Sequence, residues 1–287
     1  MPERFEVTTG DGWRLSMRRF RAAGTARRAV LCGHAMMTDG AYFAREGGFA
    51  AHLSAWGFDV FVPDFRGHGA SGPAAHAGGR WSFDDLVHQD WPALRTACAV
   101  QAGCREDELA VIGHSLGGLV TVAHASRTGA KWARTVLLST NVWKLPGMAW
   151  FPERLRAAPF VRLIDHFARA DRPLPVRTLR FGTTDEAPAY MRQFVQWART
   201  GRFAAQDGFD YEQSLAGWSG PVRAVAGSGD WLCTPASAAA FVAPAGGRIP
   251  VAAEGPGSGL PFSPNHFTLV TRRDAVPFWE RMAAFLA

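Results

Sequence analysis

The sequence predicts an α/β fold, with a mainly parallel central sheet and helices on both of its faces. Short apolar segments, each long enough for one strand, alternate with longer segments of helical spacing. The segments at 29–32, 109–112 and 135–138 are almost entirely apolar, which is typical of parallel strands buried on both faces. A chain of 287 residues can form one large domain of this kind with an inserted cap.

The first half of the chain contains the clearest alternation. A Gly-Asp-Gly turn at 10–12 joins two strands into a hairpin, Gly57 ends the first helix, and Ser82 with Asp85 resembles a capping box that opens the second. The expected elements, in chain order, are strands at 5–9, 13–18 and 29–32, a helix at 41–56, a strand at 58–63, a helix at 82–100, a strand at 109–112, a helix at 116–128 and a strand at 135–138.

The pattern changes after residue 140. Residues 141–216 are rich in Trp, Phe, Pro and Arg and contain helix-like pieces without a clear buried strand. Alternation resumes with strands at 222–226 and 248–251 and a final helix at 273–286. We therefore expect a core of residues 1–140 and 217–287, and an inserted helical cap, 141–216, over the carboxyl ends of the strands, where such sheets bind ligands.

The run Gly113-His-Ser-Leu-Gly117 between a predicted strand and a predicted helix is the most informative feature of the chain. A serine on such a tight turn has strained backbone angles, so the residues two positions away must be small, as Gly113 and Gly117 are. The turn lifts the Ser115 hydroxyl clear of the sheet and points the next helix N-terminus at a developing oxyanion. The pattern predicts a nucleophilic serine; the alternative is a glycine-rich turn with an incidental serine.

A serine nucleophile needs a base within hydrogen-bond reach and a third group that orients the base. His166 and His266 are the histidines that follow the 116–128 helix, and His266 lies in a Gly/Pro/Ser loop between the last strand and the last helix. We therefore expect His266 to be the general acid and base. Asp230 follows the strand at 222–226 and is the expected acid, with Glu254, which lies after the next strand, as its rival.

Two backbone amides should stabilise the oxyanion. Leu116, directly after the nucleophile, is expected to supply one, and Met36, in the loop after the strand at 29–32, the other, with Ala35 as the alternative. The expected substrate contacts are Met37, His114, Trp143 and Trp231. Apolar side chains are also dense in the predicted cap, where they serve a hydrophobic ligand or the cap's own packing: Trp143, Met148, Trp150, Phe151, Phe160, Phe167, Phe194 and Trp197.

Together these motifs resemble the α/β-hydrolase superfamily, and within it the serine hydrolases and the monoacylglycerol-lipase-like branch. The resemblance covers nearly the whole chain and rests on the runs at 33–36, 63–72 and 113–118, the Asp230 turn and the segment Asn265-His266-Phe267. It implies an α/β-hydrolase fold, a Ser-His-Asp mechanism and a cap domain. The sequence departs from the usual His-Gly oxyanion motif, because the order here is Gly33-His34 and then Ala35.

Composition bears on nucleic-acid binding, disulfides, metal sites and cellular location. The net charge is +6, yet Lys131 and Lys144 are the sole lysines, and the chain contains no basic stripe typical of nucleic-acid binding. Four scattered cysteines and the histidine spacing predict neither disulfides nor a metal site. No apolar run is long enough to span a membrane and no secretory leader is evident, so we expect a cytoplasmic protein. An arginine excess at 154–180 is either a solvated surface or an attraction for an anionic substrate or an acidic carrier protein.

The expected function is cofactor-independent cleavage of a carboxylic ester or thioester, with a small-molecule acyl substrate that is hydrophobic. Two alternatives remain at this point. The same triad would serve an acyltransferase if the cap excluded water, and the fold would serve a non-catalytic ligand-binding protein, which has no need to keep all three triad residues. The sequence also leaves amide and carbon–carbon bond cleavage open, and it does not predict an oligomeric state.

Overall fold

A computed structural model describes residues 2–147 and 151–287, without the side chains of residues 151–153. Its sheet has the strand order β1-β2-β4-β3-β5-β6-β7-β8. The β1–β2 and β2–β4 pairs are antiparallel and all the following pairs are parallel. The strands are β1 Glu3–Thr8, β2 Arg14–Phe20, β3 Arg28–Gly33, β4 Phe58–Pro63, β5 Ala110–His114, β6 Arg134–Leu138, β7 Val222–Gly227 and β8 Val251–Glu254.

Helices cover both faces of this sheet, as the apolar strands predict. Along β3, Leu31 packs with residues of α3 and α4, whereas Val30 and Cys32 pack with residues of α1 and α10 on the other face. The helices are α1 Phe49–Ala55, α2 Phe83–Asp85, α3 Trp91–Ala102, α4 Leu116–Thr128, α5 Phe151–Arg169, α6 Pro188–Thr200, α7 Gln213–Ala216, α8 Pro235–Val242, α9 Thr268–Thr271 and α10 Val276–Leu286. None of the helices within the described ranges is long and apolar enough to cross a membrane.

Two predicted helices are shorter or more broken than expected. The segment predicted as one helix at 41–56 forms a 3₁₀ turn, Gly40–Tyr42, and then α1, because Gly47 takes a φ of 57° and Gly48 is extended. The segment at 82–100 begins at the expected capping box but passes through a π-helical turn, Leu86–Asp90, before α3. These breaks depend on backbone conformations that helical spacing does not reveal.

The last strand and the last helix begin later than predicted. Strand β8 begins at Val251 rather than at residue 248, since Pro250 has no amide hydrogen to donate to the sheet. The final helix at 273–286 opens with a 3₁₀ turn, Arg273–Ala275, and continues as α10.

The predicted cap segment lies between β6 and β7 and contributes α5, α6 and α7 within its described part, but no strand of the sheet. Helix α6 packs against Phe83 of α2 through two side chains. The ring of Trp197 meets the Phe83 ring edge-on, with 4.7 Å between the ring centroids, and Gln193 accepts a hydrogen bond from the Phe83 amide. The boundaries 141 and 216 stay a prediction. Met148, Trp150 and the side chain of Phe151 lie outside the described residues.

The glycine-rich loop at 63–72 is fixed by buried ion pairs. Asp64 accepts two hydrogen bonds from the Arg18 guanidinium, and Arg66 bonds Asp90 and Asp11. Because Arg66, Asp64 and Asp90 are all buried, these pairs tie the loop to β2 and to the turn before α3. Asp64 Oδ1 also accepts the Gly40 amide, which connects this loop to the loop after β3.

Candidate active site

Ser115 occupies the tight turn between β5 and α4, with a φ of 52° and a ψ of −109°. The glycines around it are required by close backbone approach. A Cβ on Gly113 would lie 2.5 Å from the Gly118 backbone, and one on Gly117 would lie 2.3 Å from the Gly33 carbonyl oxygen. The Ser115 amide donates to the Leu138 carbonyl at 2.9 Å, which fixes the turn to the neighbouring strand. The geometry of a nucleophile elbow is therefore present.

His266 and Asp230 meet at the carboxyl edge of the sheet. The His266 Nδ1 atom lies 2.9 Å from Oδ2 of Asp230 and 3.2 Å from Oδ1. The Asp230 side chain is fully buried, and its Oδ1 also accepts the amides of Leu232 and Cys233, both at 3.0 Å. These donors fix the carboxylate, which in turn orients the imidazole.

Glu254, the rival acid, is engaged elsewhere. Its carboxylate accepts a hydrogen bond from the Ser258 hydroxyl at 2.6 Å and pairs with Arg281. Its bonded partners do not include His266. His166 lies exposed on α5, in the cap segment. The geometry thus favours Asp230 as the partner of His266, and the catalytic roles of these residues remain predictions.

A cavity of about 490 Å³ opens beside these groups, and Ser115 and His266 both line it. Met37, Trp143 and Trp231 line it too, as expected of substrate contacts, with Trp231 half exposed. Several further lining residues lie on segments without a sequence motif: Asn141, Pro159, Leu163, Phe181, Tyr190 and Leu232. Arg156, from the arginine-rich stretch 154–180, and Phe267, from the segment Asn265-His266-Phe267, also line the cavity.

The amide of Met36, in the loop after β3, is without a hydrogen-bond acceptor in the described part of the chain, whereas the amides on either side of it are bonded. The Ala35 amide donates to the Tyr42 hydroxyl at 2.9 Å, and the Met37 amide donates to Glu186 Oε1 at 2.6 Å. Within the described ranges, no hydrogen bond engages the Met36 amide. The amide of Ala35, the alternative oxyanion donor, is therefore occupied, whereas that of Met36 is available.

The second amide belongs to Leu116, the first residue of α4, whose N–H has no partner inside its own helix. The next amide, that of Gly117, is taken by the His34 carbonyl at 2.9 Å. Met36 and Leu116 both line the cavity. Two unoccupied backbone donors therefore lie at the same cavity as the serine.

His114 does not fit its predicted role as a substrate contact. It is fully buried and is not among the residues that line the cavity. The Tyr42 hydroxyl lies 2.6 Å from its Nδ1, and because that hydroxyl accepts the Ala35 amide, its proton is free to bond His114. Burial holds the pKa of His114 well below its ordinary value. His114 thus connects β5, through the Tyr42 hydroxyl, to Ala35 in the loop after β3.

A metal site would require several His, Cys, Asp or Glu side chains placed close together. Among the residues that the structure describes, no group of three or more His, Cys, Asp or Glu side chains is placed to hold a metal ion. Burial raises the pKa of the Cys32 and Cys98 thiols, so these cysteines are poor nucleophiles and poor ligands at neutral pH.

Comparison with known proteins connects this geometry to a family. A hydrolase family model described as serine aminopeptidase S33 matches residues 24–249. Triacylglycerol lipase 2 of Arabidopsis thaliana is 31% identical over 144 residues, which are 44% of this chain and 34% of the lipase. The chain therefore spans about a third of the length of that curated relative.

Solved structures match over essentially the whole chain. The structure of DcsB in complex with its substrate analogue has a TM-score of 0.68 at 14% identity, covering 100% of this chain and 99% of that one. An esterase from Pyrococcus furiosus has a TM-score of 0.64 at 16% identity, covering 100% and 90%. At these identities the likeness establishes the fold, which is that of the α/β-hydrolases.

Proposed function

The chain belongs to the serine aminopeptidase S33 family of α/β-hydrolases, and we propose that it cleaves carboxylic esters or thioesters through Ser115, His266 and Asp230. One observation carries the proposal. The His266 ring bonds the buried Asp230 carboxylate through Nδ1 at 2.9 Å while lining the same cavity as Ser115, which sits on the strained elbow.

The proton path follows from that hydrogen bond. A carboxylate only accepts, so Nδ1 of His266 carries the hydrogen and Nε2 is left with its lone pair. Nε2 takes the proton of Ser115 as the hydroxyl oxygen attacks the acyl carbonyl, and Asp230 stabilises the imidazolium. The imidazolium then protonates the leaving alcohol or thiol. Water, deprotonated by the same nitrogen, hydrolyses the acyl-enzyme and restores the serine.

The amides of Met36 and Leu116 would hold the oxyanion in both steps. Backbone donors placed before the reaction need no reorganisation when charge develops on the carbonyl oxygen. Removing one such donor in a serine hydrolase costs roughly 10²–10³ in kcat. The hydrogen bonds at Ala35 and Met37, which lie on either side of Met36, keep that donor in place.

The cavity supports a hydrophobic acyl group. Its volume falls in the range of about 300–1,000 Å³ that is usual for small-molecule sites. Its walls are mainly aromatic and aliphatic, with Trp143, Phe160 and Phe194 meeting ring to ring. These contacts would gain free energy from burying methylene groups or an aromatic ring.

The lining favours an ester over a peptide with a free N-terminus. An aminopeptidase substrate carries an α-ammonium group, which is usually paired with a carboxylate when it is buried. The lining residues that the structure describes include no Asp or Glu, and Arg156 is the lining residue with a fixed charge. An ammonium would meet repulsion from Arg156 rather than a partner.

A hydrolysis screen tests the proposal. p-Nitrophenyl esters of acetate to laurate, one acyl thioester and one aminoacyl p-nitroanilide are assayed at equal concentration. We expect turnover of the esters with kcat/KM rising with chain length, activity on the thioester, and none on the anilide. Anilide cleavage without ester cleavage would contradict the proposal.

A further inference from the structure

Residues 182–186 of the cap segment form hydrogen bonds with the backbone of Met37. Glu186 Oε1 accepts the Met37 amide at 2.6 Å, and the Met37 carbonyl accepts the amides of Thr183 and Thr184 at 2.9 and 3.2 Å. The approach is so close that a Cβ on Gly182 would lie 2.1 Å from the Met37 carbonyl oxygen. Both peptide groups of Met37 are thus bonded by the cap.

Met37 needs this support because its backbone is in the left-handed region, with a φ of 62°. That conformation costs a non-glycine residue of the order of 1 kcal/mol or more and persists where the surroundings impose it. Without the bonds to the cap, the peptide between Met36 and Met37 is free to rotate toward ordinary angles. The rotation would change the ψ angle of Met36 and so remove one of the two restraints on that residue, the other being the hydrogen bond of the Ala35 amide to Tyr42.

Glu186 is itself held by a buried histidine. His68 Nε2 lies 3.1 Å from Glu186 Oε1, and His68 Nδ1 donates to the Arg66 carbonyl at 2.8 Å. Both ring nitrogens face acceptor oxygens, an arrangement that favours the protonated ring, with a hydrogen on each nitrogen, beside the Glu186 carboxylate. Burial alone lowers the pKa of His68, but the charge and hydrogen bond of Glu186 outweigh it and raise that pKa.

The Glu186 backbone does not depend on its side chain. Its amide and carbonyl form an antiparallel bridge with Leu174, at 3.2 and 3.0 Å. The backbone bridge therefore stays in place when the carboxylate is replaced, and two interactions are lost: the acceptor for the Met37 amide and the partner of His68 Nε2. Glu186 Oε2 has no partner among the described residues, so the Oε1 atom carries the function of the side chain.

We propose that Glu186, fixed by His68, is a positioning residue that holds the Met36–Met37 peptide in the orientation which aims the Met36 amide at the oxyanion. The cap segment thereby completes the oxyanion hole of the core. This inference rests on the proposed function, because it assigns Glu186 to the transition state of the Ser115 reaction.

The test compares two replacements of Glu186 with a matched cap control. Glu186→Leu removes the acceptor, whereas Glu186→Gln keeps an oxygen for the Met37 amide and loses the charge. The control is Glu212→Gln, which breaks an ion pair with Lys144 at 2.6 Å in the cap segment without contact to the oxyanion loop. Each variant is assayed for kcat and KM on the best ester and for inhibition by an alkyl boronic acid, which mimics the tetrahedral intermediate.

We expect Glu186→Leu to lower kcat by roughly 10–10²-fold, part of the loss for a missing oxyanion donor, with KM within about twofold of the wild type. The boronic acid Ki should rise by the same factor as kcat falls. Glu186→Gln should lose less, and Glu212→Gln should keep the wild-type kcat. If Glu186→Leu does not fold, Glu186→Met, which also removes the acceptor but keeps an unbranched side chain of similar length, takes its place in the comparison.

Three outcomes would overturn the inference: a wild-type kcat in the Glu186 variants, equal losses in the Glu212 control, or a rise in KM with boronic acid affinity unchanged. A failure of the proposed function would give a different result from a failure of this inference. In that case the wild-type protein hydrolyses no ester and Ser115→Ala changes no measured activity.

Discussion

Replacing Asp230 with asparagine should disable the site through the tautomer of His266. Oδ1 of Asp230 faces two amide donors, from Leu232 and Cys233, while Oδ2 faces His266 Nδ1. The asparagine carbonyl will occupy the first position, because the opposite orientation leaves two buried amides unsatisfied at roughly 1–3 kcal/mol each. The NH₂ group then points at Nδ1 and donates to it.

A ring that accepts at Nδ1 carries its hydrogen on Nε2 and cannot take the proton of Ser115. The corresponding change in a serine protease triad lowers kcat by about 10⁴, which is about 5.4 kcal/mol of transition-state stabilisation. We expect a loss of this size in Asp230→Asn, with an unfolding midpoint near that of the wild type, because the hydrogen bonds of Oδ1 survive.

The assay is steady-state hydrolysis of the best p-nitrophenyl ester at pH 7.5, with circular dichroism to check folding. Glu254→Gln is the control, since Glu254 is a buried carboxylate at the end of the next strand that bonds Ser258 and Arg281 instead of the histidine. A loss below tenfold in Asp230→Asn, or an equal loss in the control, would refute the tautomer argument.

Three further predictions concern packing, pH and substrate size. Gly117→Ala should lower stability by about 1–3 kcal/mol, because its Cβ would meet the Gly33 carbonyl at 2.3 Å, whereas Gly217→Ala, with nothing within 4 Å, should change urea unfolding by less than about 0.5 kcal/mol; equal effects would contradict this. Burial lowers the pKa of His34 to about 3, whereas the pKa of a histidine in an unfolded chain is about 6.5. The free energy of unfolding should therefore be highest above about pH 6.5 and fall between that pH and about pH 3, by up to about 1.4 kcal/mol per pH unit. His34→Gln should make urea-unfolding free energies between pH 7 and 4.5 less steep, and an unchanged slope would count against a neutral buried ring. Trp143→Ala should enlarge the cavity and move the best p-nitrophenyl ester to a longer chain; an unchanged chain-length profile would exclude this side chain from acyl binding.

Much of the fold follows from local sequence. Buried parallel strands are apolar on both faces, so the strands around Leu31, Val111 and Val136 stand out without tertiary information. The elbow motif is also recognisable locally, because Gly113 answers a steric demand from Gly118, although the demand on Gly117 comes from the Gly33 carbonyl on a neighbouring strand. His266 and Asp230 follow from chain order and from their place at strand ends.

Other features depend on contacts that a linear reading does not contain. Glu186 lies 149 positions beyond Met37, whose amide it binds, and no sequence motif near Glu186 indicates this contact. Tyr42 fell within a predicted helix, yet its hydroxyl joins the Ala35 amide to His114. His114 was expected at the substrate, but it lies fully buried against Tyr42 and is not among the residues that line the cavity.

The central claim is that Ser115 is a nucleophile activated by His266. Mass spectrometry after treatment with a fluorophosphonate tests it most directly, because the probe bonds covalently to an activated serine. We expect one adduct, on the peptide that contains Ser115, no adduct in Ser115→Ala, and labelling slower by at least about 10²-fold in His266→Ala. An adduct on another residue, or equal labelling rates in the wild type and His266→Ala, would contradict it.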